Sequence, residues 1–246
     1  MKQLVIILIS IALTGCGTIF SIPTPTIDLT PEISGPRVRT QGESQPQKQY
    51  AGQIAQTMFS YVFAPGGLWL WQKDFEEGEW ISWDLKTDAS QKDIVANLAY
   101  LKEADNNRHW WKLIYNTEDD VITYEALINH DDFSTRRLRA KFGDDAPFEV
   151  PVTEESYSYY SRPRRITPEA LEASIQETMY INIPAGNFQT RRAEFGVITG
   201  SGQLEMWLND EVPGGIVKYK LTSEQAQAVG ELKNFGTGAK SILNSY

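Results

Sequence analysis

The feature that most constrains the fold is a hydrophobic period of two. Leu68 to Trp71, Trp80 to Leu85, Trp110 to Tyr115 and Val121 to Asn129 are rich in aromatic and β-branched residues and are separated by polar turns. That pattern specifies antiparallel strands. Ile94 to Leu101 fits helix or strand by pattern alone, and the turn-forming run Glu103-Ala104-Asp105-Asn106-Asn107 that leads into Trp110 makes a strand the better reading. Asp119-Asp120, Asp131-Asp132 and Asp144-Asp145 each fall between apolar runs, as solvated turns do. Arg137 to Phe142 alternates basic with apolar residues, and strands resume at Ile175 to Ile183.

Helical signals are few. Tyr50, Ile54, Met58, Tyr61 and Val62 recur at helical spacing before Pro65-Gly66-Gly67 stops the run. Thr167-Pro168-Glu169 has the order N-cap, N1 proline, first-turn acid, and opens a short helix through about Ala173. Thr222-Ser223-Glu224 caps either a helix to about Lys233, ended by Gly236, or leads into one more edge strand through Phe235; the pattern supports both.

The N-terminus is of another kind. Lys2, an apolar run from Leu4 to Leu13, and then Leu13-Thr14-Gly15-Cys16 follow one another. The run is about half the ~20 residues that a membrane-spanning helix needs, so it reads as a cleavable signal. Cys16 is the single cysteine of the 246 residues, which excludes an internal disulfide. The tetrad resembles the lipobox of bacterial lipoproteins, and the resemblance implies a mature chain beginning at a diacylglyceryl-modified Cys16. With Gly17 rather than aspartate next to it, the resemblance further implies sorting to the outer membrane, facing the periplasm. From Gly17 to Lys48 five prolines stand among Thr, Ser, Gln and Gly with Phe20 as the one aromatic residue, a composition that cannot bury enough apolar surface to order itself. As a coil this tether reaches on the order of 30 Å. The expected organisation is signal peptide 1–15, lipidated cysteine and disordered tether 16–49, and one β-rich domain 50–246.

The most patterned part of that domain runs from Ile183 to Leu221. Pro184-Ala185-Gly186-Asn187-Phe188 precedes one strand, which runs to Phe195 before a glycine turn at Gly200 and Gly202 and the run Leu204 to Leu208. Trp207, followed by Val212-Pro213-Gly214-Gly215, leads into the last strand, Ile216 to Leu221. Proline fixes φ on entering each turn and glycine supplies φ > 0 within it. These turns resemble those of bacterial envelope proteins related in fold to the lipoprotein-localisation factors LolA and LolB. The resemblance implies a mainly β fold: a curved antiparallel sheet, a half-barrel, with an apolar concave face under a few short covering helices. In the localisation factors that concavity holds acyl chains; no binding residue carries over from them to this sequence.

Signs of catalysis are sparse. A net charge of −9 disfavours nucleic acid, whose binding needs cations against phosphate. Two histidines, His109 and His130, and one cysteine exclude zinc sites of the usual kind, and no glycine-rich phosphate loop occurs. No cofactor is expected. His130-Asp131-Asp132 with Ser134 holds the letters of a catalytic triad, but a triad joins residues distant in sequence. The paired aspartates lack the alternating ligand series of a calcium loop. A carboxylate pair for hydrolysis leaves no sequence signature, so a surface-anchored enzyme stays open as the last of three readings.

The strongest remaining signal is tryptophan. Trp69, Trp71, Trp83, Trp111 and Trp207 are candidate lining residues for a hydrophobic ligand, or core filling for a curved sheet. At strand spacing Trp69 and Trp71 share a face, whereas Trp110 and Trp111 point to opposite faces, so one of that pair is exposed or covered by a helix. Arg137, Arg139 and Lys141 form a row that suits lipid headgroups or an acidic partner, or is a solvated sheet face. Three functions follow: a noncatalytic lipoprotein that binds a lipid or other hydrophobic ligand in the half-barrel, a structural or interaction subunit that tethers an envelope complex to the membrane, and the enzyme.

Overall fold

The computed structural model describes residues 45–88, 90–117, 120–152, 163–198, 201–224 and 226–246. The lipobox with Cys16, and all but the end of the expected tether, lie outside the described residues.

The first element is α1 (Gln45–Phe63), which begins upstream of Tyr50. Six strands follow as a meander: β1 (Trp80–Thr87), β2 (Ser90–Ala104), β3 (Arg108–Asn116), β4 (Val121–Asn129), β5 (Thr135–Phe142) and β6 (Phe148–Val150). After the short helix α2 (Pro168–Ser174) come β7 (Ile175–Ile183), β8 (Gly186–Gly196), β9 (Gly202–Leu208), β10 (Ile216–Ser223) and β11 (Gln227–Gly236). All eleven lie in one open, curved antiparallel sheet ordered β6-β5-β4-β3-β2-β1-β11-β10-β9-β8-β7, a half-barrel. The two meanders join where β1 pairs with β11, from Trp80↔Gly236 to Thr87↔Ala228.

Local pattern left the last segment open between a helix and an edge strand, and pairing decides it. β11 has β10 on one side and β1 on the other, so both rows of its backbone groups are bonded and it is central rather than an edge. Gly230 makes that position possible: a Cβ there would collide with the rings of Tyr219 and Trp83. The cap at α2 forms as expected, with the Thr167 hydroxyl accepting from the Ala170 N–H.

Leu68 to Trp71 is a correction to the expected strand. Leu68 makes one isolated bridge to Arg164, and the segment is otherwise coil. Its N–H groups go to three different places: Leu68 donates to the Pro65 carbonyl, Trp69 to that of Arg164 and Leu70 to that of Phe63. Leu68, Trp69, Leu70 and Trp71 are all buried, a continuous run with no polar face. Apolar residues here report total burial inside the half-barrel, not the alternation of a half-exposed strand.

The core fills the concave side. α1 presents Ala51, Ile54, Ala55, Met58, Phe59, Val62 and Phe63 to it, spaced three and four apart. Small Ala51 and Ala55 let the helix approach closely, and two buried tyrosines tie it down: Tyr124 Oη donates to the Ala51 carbonyl and Tyr219 Oη to that of Tyr61, each at 2.9 Å. Burial raises the Tyr219 phenol well above its ordinary value, so it stays a donor.

Candidate functional site

The concave face carries four of the five tryptophans singled out as lining residues. Trp83 comes from β1, Trp111 from β3, and Trp69 and Trp71 from the coil that follows α1. Their rings form one network with phenylalanines: Phe63 meets Trp111 edge-on at 5.3 Å and Trp69 at 5.5 Å, Phe75 meets Trp111 at 5.2 Å and Trp71 at 5.4 Å, and Trp71 meets Trp83 at 5.9 Å. Edge-to-face rings at these separations pack as a core does. One cavity among these side chains, of about 10 Å³, is lined by Val62, Leu70, Trp71, Trp83, Leu85, Ala96 and Tyr219. That is room for about one water, against the several hundred Å³ of a ligand pocket. The indole N–H groups of Trp71 and Trp83 are buried without a hydrogen-bond partner.

Trp207 stands apart. It alternates with the buried Met206 and Leu208 along β9, and so lies on the opposite face, paired in register with Lys218 and Arg192. The Lys218 ammonium sits 5.4 Å from its ring centroid.

The convex face holds what sequence reasoning missed. Trp110 points there, with Ala99, Leu101 and Leu127 beside it, and it is covered neither by a helix nor by solvent but by the C-terminal tail, residues 237–246. Tyr246 packs at 5.7 Å from its ring. The tail lies over a row of alternating charge, Lys112 on β3, Glu125 on β4, Arg139 on β5 and Glu149 on β6, neighbours in register. Glu125 takes the tail's donors and the cations take its carbonyls. Fully buried Glu125 accepts from Ser241 Oγ at 2.7 Å, the Ile242 N–H at 2.6 Å and the Leu243 N–H at 3.2 Å. Lys112 donates to the Lys240 carbonyl, Arg139 to those of Leu243 and Asn244, and Arg137 to that of Ser245. Of the basic row, therefore, Arg137 and Arg139 contact the tail and Glu149, while Lys141 is half-buried opposite Thr123. An irregular segment with no apolar period gives no sequence signal; the one clue is Glu125, a charged residue inside the apolar run of β4.

The remaining titratable cluster is at one end of the sheet. The rings of His109 and His130 lie 4.5 Å apart, with Tyr100 5.2 Å from His109. Arg165 stands over the Phe133 ring at 4.5 Å, and Phe133 stacks on Trp69 at 3.9 Å. Burial, and then neighbouring positive charge, hold both imidazoles below their ordinary value, against the smaller opposing pull of Glu103, Asp74 and Asp131. Burial first, then Glu103, pushes Tyr100 up to about 12. An imidazole depressed in the folded state is protonated first in the unfolded chain, so its stabilisation is complete above the unfolded value of about 6.5 and is lost as pH falls toward the folded one. The urea midpoint is expected to drop between pH 7.5 and 5.5, and to drop less in a His130→Asn variant; equal drops would remove the pair from the account. Ser134, part of the triad letters, bonds through its hydroxyl to Asp132 and is buried in the turn after β4, while the His130 ring lies tilted against His109. Among the described residues no group of three or more His, Cys, Asp or Glu converges as a metal site.

A curved, open antiparallel half-barrel with a helix in its concavity is thus the class that the fold defines. No protein-family model and no curated protein matches the chain. Solved structures similar to this chain include three bacterial proteins. One is MucB, 10% identical with a TM-score of 0.42, covering 77% of this chain and 61% of that one. Another is LprF from Mycobacterium bovis, 12% identical with a TM-score of 0.35, covering 81% and 97%. The third is a Bacteroides fragilis protein with a YmcC-like fold, 10% identical with a TM-score of 0.35, covering 68% and 100%. Similarity at this level carries nothing about activity.

Proposed function

We propose that the chain is a noncatalytic lipoprotein of the bacterial envelope, held on the outer membrane by a lipid on Cys16, and that it works as an interaction subunit through the outer surface of its sheet. The observation that carries this reading is the filled concavity: α1 and the Leu68–Phe75 coil pack their apolar side chains into the face that a carrier would keep open. The lipobox pattern supports the anchor, and two or three acyl chains at roughly 0.8 kcal/mol per methylene hold a protein stably on a bilayer. No helix among the described residues is long and apolar enough to cross a membrane.

One observation favours a second reading, a hydrophobic ligand taken up when α1 lifts away. The unpartnered indole donors of Trp71 and Trp83 would be satisfied by an acceptor set among apolar carbon.

The anchor is tested with a Cys16→Ala chain in the native host. Expected are loss of palmitate labelling and release from the membrane fraction; retention of both overturns it. The mode of action is tested by crosslinking the native chain in cells, with lipid extraction of the purified material. A protein partner without stoichiometric amphiphile supports the interaction subunit. An amphiphile at one per chain, with no protein partner, establishes the carrier instead.

A further inference from the structure

We propose that β7 is a self-pairing edge: two copies of the chain join β7 to β7 about a two-fold axis at Tyr180, so that their sheets run on into one another.

Among the described residues the two edges of the sheet are β6 and β7, and they differ. β6 is three residues long, which by itself blunts an edge. β7 is nine residues long, and among the described residues only β8 pairs with it. Its sequence, Ile175 to Ile183, contains no lysine and no proline, the residues that usually prevent strands from adding to an edge. Tyr180 is 75% exposed, the most exposed large apolar side chain among the described residues.

The backbone groups that face outward follow from the hairpin. Pro184 and Ala185 form a two-residue turn, which makes Ile183↔Gly186 the closing hydrogen-bonded pair. Bonding alternates along an antiparallel pair, so Ile183, Ile181 and Met179 bond toward β8, and Thr178, Tyr180 and Asn182 hold their N–H and C=O toward the free side. Those three are centred on Tyr180.

The occupant is a second copy because the edge is complementary to itself about that residue. In an antiparallel pairing through Tyr180, Thr178 faces Asn182 of the other strand, Met179 faces Ile181, and Tyr180 faces Tyr180. Polar residues meet polar, apolar meet apolar, and rings meet rings on the exposed face. No like charges are opposed: Glu177 falls opposite Ile183, and its carboxylate is already held by Arg192 at 2.9 Å. Outward-facing residues meet outward-facing residues in this register, so each pair can exchange both backbone bonds, and the contact is isologous.

The test uses the full chain in its own membrane. In a hydrogen-bonded antiparallel pair the Cα atoms stand about 5.5 Å apart, so Tyr180→Cys is expected to form a dimer with a short bis-methanethiosulfonate reagent, each cysteine thiol displacing one sulfinate. The yield should exceed that of Val121→Cys, an exposed β4 control, by about tenfold; equal yields overturn the proposal. The native chain treated alike reports Cys16 alone, so failure of the lipid anchor is seen separately from failure of the pairing. In detergent, light scattering should give the native chain twice the protein mass of Tyr180→Lys. A native chain of monomer mass, or a Tyr180→Lys chain that keeps the dimer mass, overturns the pairing.

Discussion

Trp111→Ala is expected to lower the unfolding free energy by about 3–5 kcal/mol, as an aromatic truncation in a closed core does. The ring joins three parts of the protein, meeting Phe63 of α1 at 5.3 Å, Phe75 of the coil at 5.2 Å and Tyr100 of β2 at 5.2 Å. Its loss leaves a void that no single neighbour can fill, since each is fixed by a different element. Equilibrium urea unfolding of the native and variant chains measures the effect. Phe63→Ala combined with Trp111→Ala should cost less than the sum of the two, because they share one contact. A loss below about 1 kcal/mol would mean that the concavity is not packed as a core, and would weigh against the interaction-subunit reading.

The second large effect is on the other face. Glu125→Ala removes a fully buried carboxylate and leaves the Ile242 and Leu243 N–H groups and the Ser241 hydroxyl without their acceptor. Breaking a buried ionic network by removing one partner costs about 3–5 kcal/mol, a fall in melting temperature of roughly 10 °C for a domain of this size. The loss should be uneven. Amide exchange of Ile242 and Leu243 is expected to rise to that of an open segment, and Trp110 to become accessible to a fluorescence quencher, while the α1 amides keep their protection relative to the global unfolding limit. Tail amides as protected as before would show that Arg137, Arg139 and Lys112 hold the tail without Glu125. Glu125→Gln keeps the shape and one acceptor oxygen, and should fall between the two.

Both predictions concern contacts that local pattern does not encode. Features that depend only on neighbours in the chain are readable from the residues alone. Most strands of both meanders, though neither β6 nor β11, were legible from alternation and turn signals, and their turns because proline and glycine are required where φ is fixed or positive: Gly214 at +74° and Gly215 at +75° sit in the Pro-Gly-Gly turn before β10. The Thr167 cap was legible for the same reason. That Trp110 and Trp111 must part to opposite faces also followed from the period of two alone.

Tertiary structure decided the rest. Leu68 to Trp71 has strand composition, yet total burial and three scattered backbone partners make it coil. β11 was ambiguous because its two partners, β1 and β10, differ so much in sequence distance, and only the pairing with β1, at the far end of the domain, makes it central. The tail has no apolar period, so nothing local marked it as a cover for Trp110. It is held by Glu125, Arg137 and Arg139, more than a hundred positions earlier. Side chains that look like a solvated or cationic face in one strand become a peptide-binding row once four strands lie side by side. Such a row is a property of register, and register is set by the whole sheet.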